Sequence, residues 1–155
     1  MKKEKKEIAI VGLLLSVIMV IVVNLVSYYK KPDGFENVKY GRFLRNTEVA
    51  DGTILKHSGS FIELTDGRIM KSSVFEDLAS LAGKKIYFFG DGMYGIILKG
   101  VTYEGVPIES VGHHGTFYVV QTAKKSYHYL LGPVFCIIDK KAYKLPYTSR
   151  ACYRE

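Results

Sequence analysis

Tryptophan is absent, and cysteine occurs only at Cys136 and Cys152. Two cysteines allow at most one intrachain disulfide, which excludes a scaffold held together by several bridges. They also leave no complete zinc-ligand spacing. Neither a Gly-x-Ser-x-Gly elbow nor a His-Glu-x-x-His pair is present, so two common hydrolytic sites have no sequence support. The N-terminal apolar stretch lacks a lipobox cysteine and the processing pattern of type IV pilins. The chain also has no dense basic stripe, because its 22 Lys and Arg are mixed with 15 Asp and Glu.

What is present first is an uncharged run, Ile8 to Val26, between KKEKKE and SYYKK. As a helix it reaches about 28 Å, close to the ~30 Å hydrocarbon thickness of a bilayer. Tyr28 and Tyr29 fall where an interfacial aromatic belt belongs, with Lys30 and Lys31 able to reach headgroups. A signal peptide cleaved after Ser27 is the competing reading. Against it, the run exceeds the roughly 7 to 15 residues of a usual h-region, and Leu25-Val26-Ser27 matches a small-x-small site poorly. The organisation expected is a short basic tail over 1–7, a transmembrane signal-anchor helix over 8–29 and one domain over 30–155.

Orientation rests on a narrow difference. Lys2, Lys3, Lys5 and Lys6 precede the span, and Lys30, Lys31, Lys39 and Arg42 follow it; the free amino terminus tips the positive-inside count towards a cytoplasmic tail. In an oxidising compartment Cys136 and Cys152 would pair, stabilising a small domain by about 3 kcal/mol. The expected location is therefore the cell membrane, with the C-terminal domain outside the cytoplasm, in a periplasm-like space. Without the four lysines and two glutamates of the tail, the remainder carries a net charge of +5, which favours anionic neighbours such as lipid headgroups.

Beyond residue 30 the dominant period is two. Asp-Gly occurs at Asp33-Gly34, Asp51-Gly52, Asp66-Gly67 and Asp91-Gly92, and Asp-Gly between apolar runs signals a hairpin because both residues tolerate positive φ. The pattern predicts strands over 38–50, 53–57, 60–64, 68–71, 85–89, 94–103, 116–122, 127–131 and 134–138, rich in Tyr, Phe, Val and Ile. Ser73-Val74-Phe75-Glu76 has capping-box form, Phe75, Leu78, Ala79 and Ala82 fall on one helical face with Leu81 at its edge, and Gly83 supplies a stop. The fold expected is a β-rich α+β domain, antiparallel, with one short helix; an OB-like, partly open barrel is compatible with that order. An echo, Asp-Gly-x-Ile-apolar-Lys-x-Ser, starts at Asp51 and again at Asp66; two copies indicate a reused turn and strand rather than a solenoid.

The candidate chemistry is thin. Gly90-Asp-Gly-Met-Tyr-Gly95 matches G-x-G-x-x-G, but strand-like Ile96-Ile97-Leu98 follows where a phosphate-binding helix should begin. Glu109, His113 and His114 form the one cluster that could serve metal or acid–base chemistry, yet adjacent strand residues point to opposite faces. Cys136, in apolar Val134-Phe-Cys-Ile-Ile138, suits a half-cystine better than a nucleophile. Tyr127, Tyr129 and Tyr147 stand among Lys124, Lys125, Lys140, Lys141 and Lys144. Such rings and cations favour a protein interface over nucleic acid, which an extracytoplasmic domain seldom meets.

These observations favour a non-enzymatic, membrane-anchored binding or assembly module whose partners are the bilayer and another envelope or membrane protein. No cofactor and no small-molecule substrate is expected. One alternative is a structural subunit packing through Gly12 and Ser16, a small-xxx-small pair on the span. The other is an anchored enzyme using Glu109, His113 and His114.

Overall fold

In the computed structural model, residues 2–29, 31–45, 49–90 and 98–155 are described. The chain divides into two compact units, Met1–Glu36 and Asn37–Glu155.

The first unit holds helix α1, Lys2–Tyr29, about 42 Å long at 1.5 Å per residue. The charged tail is part of this helix rather than separate from it. From Ile8 to Val23 its apolar side chains are exposed on every side, Ile8 at 72% and Met19 at 70%, and the helix is long and apolar enough to cross a membrane. Ser16 donates its hydroxyl to the Gly12 carbonyl at 3.0 Å, so the one hydroxyl within the apolar run is satisfied by its own helix. Val26, Tyr28 and Tyr29 lie in the last turns.

The second unit is built from twelve strands: β1 Val38–Phe43, β2 Gly52–Ser58, β3 Phe61–Leu64, β4 Ile69–Lys71, β5 Lys85–Gly90, β6 Thr102–Tyr103, β7 Val106–His114, β8 Phe117–Thr122, β9 Ser126–Tyr129, β10 Val134–Ile138, β11 Lys141–Lys144 and β12 Arg150–Arg154. Their order is β1-β12-β4-β3-β2-β5-β10-β11-β6-β7-β8-β9. The expectation of a wholly antiparallel sheet needs one correction, because β11 and β6 pair in parallel. In the strand order the β10–β11 hairpin stands between β5 and β6, with β10 antiparallel to β5 and β11 parallel to β6. The OB-like barrel is not reproduced. β1 and β9 are the ends of an open order with no pairing between them among the described residues, and the short helix α2, Ser73–Glu76, lies between the fourth and fifth strands.

Two cores share one wall. β10 is buried along its whole length, and alternation sends Val134, Cys136 and Ile138 into a first core with Ile62, Leu64, Phe75 and Ile86. Phe135 and Ile137 enter a second core with Phe89, Tyr103, Tyr118 and Val120. Phe88 and Phe89 of β5 divide between the cores in the same way.

Turn chemistry explains where the strand expectations fail. Only Asp66-Gly67 among the described Asp-Gly pairs makes a hairpin, with Gly67 at φ +92 and Leu64 N–H donating to the Arg68 carbonyl at 2.8 Å. Gly52 pairs with Ile86 inside a ladder, and Asp91-Gly92 lies outside the described residues. The β6–β7 and β10–β11 hairpins use Glu104-Gly105 and Asp139-Lys140, with positive φ at both loop positions. Asp139-Lys140 has no glycine to announce it, and β11 goes unforeseen. Both copies of the echo are strands, β2 and β4, with Ile54 and Ile69 buried.

The helix is shorter than predicted. Its N-cap is Ser72, not Ser73; the Ser72 hydroxyl accepts from Val74 N–H and is bonded in turn by Ser149 Oγ at 2.9 Å. Leu81 is buried in the first core, while Ala79 and Ala82 are exposed. His57 fixes this turn. Its Nε2 lies 2.7 Å from the Phe75 carbonyl, and its Nδ1 accepts from Leu81 N–H at 3.1 Å. Replacing His57 by Ala strips a partner from both groups. The expected cost is about 2 kcal/mol, checked by thermal unfolding of the detergent-solubilised chain; a change below about 0.5 kcal/mol would refute this role.

The expected disulfide is not formed. Cys136 is a fully buried thiol on β10, its ionisation pushed up to about 12 by desolvation. Cys152 is a thiol on β12, opposite Tyr40 and Ile69. The two strands pair with different neighbours, and the Cys136 side chain belongs to the first core. In the native chain one equivalent of iodoacetamide should react, at Cys152, and a second only after unfolding. Two equivalents reacting at similar rates without denaturant would overturn the burial of Cys136.

Candidate functional site

The tyrosines expected to bind a partner separate into two groups. Tyr127 and Tyr129 are half-buried neighbours on β9, stacked on each other at 6.4 Å and packed on the second core. Tyr129 meets Phe135 edge-on at 5.4 Å, and its hydroxyl lies 2.6 Å from that of Tyr103. Burial first, and for Tyr103 also this hydrogen bond, raises both phenols above their ordinary range. Their polar ends are thus engaged within the fold. Tyr147 is half-exposed, and its hydroxyl donates to the Leu130 carbonyl at 2.6 Å.

Tyr147 stands in an open groove of about 610 Å³ lined by Phe43, Leu44, Arg45, Leu131, Gly132 and Thr148 besides itself. Three chain segments make it. The end of β1 supplies 43–45, held where Leu44 N–H donates to the Ser149 carbonyl at 2.7 Å. β1 itself is seated against β12 at Gly41, where an added Cβ would stand 2.7 Å from the Ala151 carbonyl oxygen, so only glycine fits. The loop 145–149 forms a second side, tied down by Leu145 N–H to the Val134 carbonyl and by Ser149 to buried Ser72. The β9–β10 turn forms the third. The sequence pattern predicts strand through Leu131, but β9 ends at Tyr129, because Leu131 and Gly132 both take positive φ, +64 and +59.

Leu131 is 88% exposed. A branched side chain in the left-handed region costs on the order of 1 kcal/mol, and nothing in its own burial repays it. Phe43 and Leu130 nearby are half-exposed as well, making a contiguous apolar patch rather than a scattered residue. Cations frame it. The Arg150 guanidinium lies 4.2 Å from the Phe43 ring centroid, and Lys144 Nζ lies 4.3 Å from that of Tyr147; Arg45 is part of the lining. The sequence signal for this site was an apolar pair, Leu130-Leu131, placed directly before the turn-forming Gly132-Pro133.

Glu109, His113 and His114 are not brought together. Glu109 is the extra residue of a bulge between Ile108 and Ser110, and His113 lies four residue steps along the strand, roughly 13 Å away. His113 and His114 lie on opposite faces of β7, His113 edge-on to Tyr118. Among the described residues no three His, Cys, Asp or Glu side chains gather as a metal site. All of the G-x-G-x-x-G stretch after Gly90 lies outside the described residues. The chain matches no protein-family model, no curated protein and no solved structure.

Proposed function

We propose that the chain is a single-pass, membrane-anchored, non-catalytic binding module whose β unit docks another envelope or membrane protein. The observation that carries this reading is the preformed apolar groove of Phe43, Leu131 and Tyr147 on a chain that also bears a span-length apolar helix. A retained span would confine the chain to one membrane and so raise its effective concentration towards partners in that membrane. The orientation proposed keeps the lysine-rich tail in the cytoplasm and the β unit in the periplasm-like space. It rests on the tail's four lysines, the disulfide no longer supporting it.

A photo-crosslinking residue at position 147, introduced into the full-length chain in cells, tests the reading. The expected result is one adduct of defined mass with a membrane-fraction protein. Tyr147→Ala should weaken the association about tenfold or more, whereas His113→Ala with His114→Ala should leave it unchanged. Tyr127 and Tyr129 are unsuitable probes because their loss would disturb the second core. Adducts only with lipid, or none above a probe placed at exposed Thr116, would overturn the proposal.

A further inference from the structure

We infer that the groove recognises an acidic, apolar segment of its protein partner: one or two large aliphatic or aromatic side chains flanked by Asp or Glu. The inference rests on the binding-module reading and adds the chemistry of the ligand.

The lining is apolar at Phe43, Leu44, Leu131 and Tyr147 and contains no carboxylate among the described residues. Arg45, Lys144 and Arg150 surround it, and none of the three has a carboxylate partner among the described residues. Four other cations of the β unit are paired with carboxylates: Arg68 with Asp66, Lys84 with Asp139, Arg154 with Glu63 and Lys39 with Glu155. Lys144 and Arg150 lie over groove rings, so a carboxylate arriving there would meet a cation already positioned by its aromatic contact.

Volume and shape favour a peptide over a bilayer surface. About 610 Å³ lies within the range that accepts a few side chains, and the site is a trough with three walls rather than a single protruding wedge. Leu131 is held outward by a left-handed backbone, and Tyr147 is braced by its bond to the Leu130 carbonyl. Both walls are thus set before a ligand arrives, which lowers the ordering cost of binding.

The test uses the full chain in phosphatidylcholine nanodiscs, panned with a random dodecapeptide display library after counter-selection on empty discs. The expected winners carry Leu or Phe flanked by Asp or Glu. A synthetic winner should lose at least tenfold in affinity on Leu131→Asp, on Arg45→Glu with Lys144→Glu, and on replacement of its own acids by Asn and Gln. Winners without acidic bias, winners that bind the Leu131→Asp chain equally, or no enrichment over empty discs would each overturn the inference. Tyr147→Trp supplies a unique fluorophore in a chain without tryptophan. Its emission should shift on peptide binding and remain unquenched in discs of brominated phosphatidylglycerol; quenching there would assign the groove to lipid instead. A crosslinked membrane partner whose binding survives Leu131→Asp would leave the binding-module reading standing while removing this one. Acidic–apolar winners without any membrane partner would do the reverse.

Discussion

Leu14→Arg combined with Ile18→Arg should move the protein from the carbonate-resistant membrane pellet to the soluble or aggregated fraction. The magnitude follows from insertion energetics. Fourteen Leu, Ile and Val residues lie between Ile8 and Val26, each favouring insertion by about 0.3 to 0.6 kcal/mol, or about 6 kcal/mol together. Two arginines near the middle of the span cost about 2.5 to 3.5 kcal/mol each and remove two favourable residues, so the net driving force falls close to zero. Because the helix buries none of its apolar window within the chain, the same substitutions should leave the unfolding of the β unit unchanged. Extraction of the unaltered chain by carbonate, or a mature N-terminus at Tyr28 by intact mass, would defeat the anchoring proposal.

The apolar helix was legible because its signal is one of composition over nineteen residues and needs no tertiary information. The strands from β2 to β5 were legible for a related reason: each alternates, or runs apolar, between clear breakers. β7 was not, although it is the longest strand at nine residues. Pro107 and Gly112 interrupt its pattern, and the His113-His114 pair between glycines reads as a polar loop. Its pairing with β8 through Val111 and Val120 supplies the order that local sequence withholds. β12 was missed because four of its five residues, Arg150, Cys152, Tyr153 and Arg154, give no alternating apolar face; it is held between β1 and β4 rather than selected by propensity.

The site was less legible than the fold. Tyr147 was visible as an aromatic among cations, but Phe43 and Arg45 were read as interior positions of a long strand, and Leu131 as the end of another. What separates them from core residues is where each strand stops, and those stops depend on long-range bonds such as Leu44 N–H to Ser149 and Tyr147 hydroxyl to Leu130. His57 shows the same limit in reverse. Nothing around it in the sequence assigns it a role; in the fold it bonds two backbone groups of the α2 turn.

Phe135→Ala is expected to cost about 4 kcal/mol, a large share of the roughly 5 to 15 kcal/mol that a domain of this size possesses. Phe135 is fully buried and touches four rings: it stacks on Phe89 at 4.8 Å, meets Tyr103 and Tyr129 edge-on at 5.7 and 5.4 Å, and lies tilted to Tyr118 at 6.0 Å. Each neighbour is held by a different strand, so the cavity cannot close by a single side-chain shift, and the lost aromatic contacts add to the lost transfer free energy. The damage should be uneven. Tyr129 is the last residue of β9 and leads directly into Leu130 and Leu131, so loosening its packing on Phe135 releases one wall of the groove. Cys136 and its neighbours on the opposite face of β10 keep their contacts in the first core. Hydrogen exchange on the full chain in detergent should therefore show amides of β8 and β9 losing protection at least tenfold more than those of β3 and β4, with peptide binding falling in parallel. Phe135→Leu, which retains most of the volume, should recover more than half of the lost stability. Uniform loss of protection across both cores would mean that the β5–β10 wall does not divide the unit energetically, and a loss of stability below about 1 kcal/mol would mean that the second core is not packed around this ring.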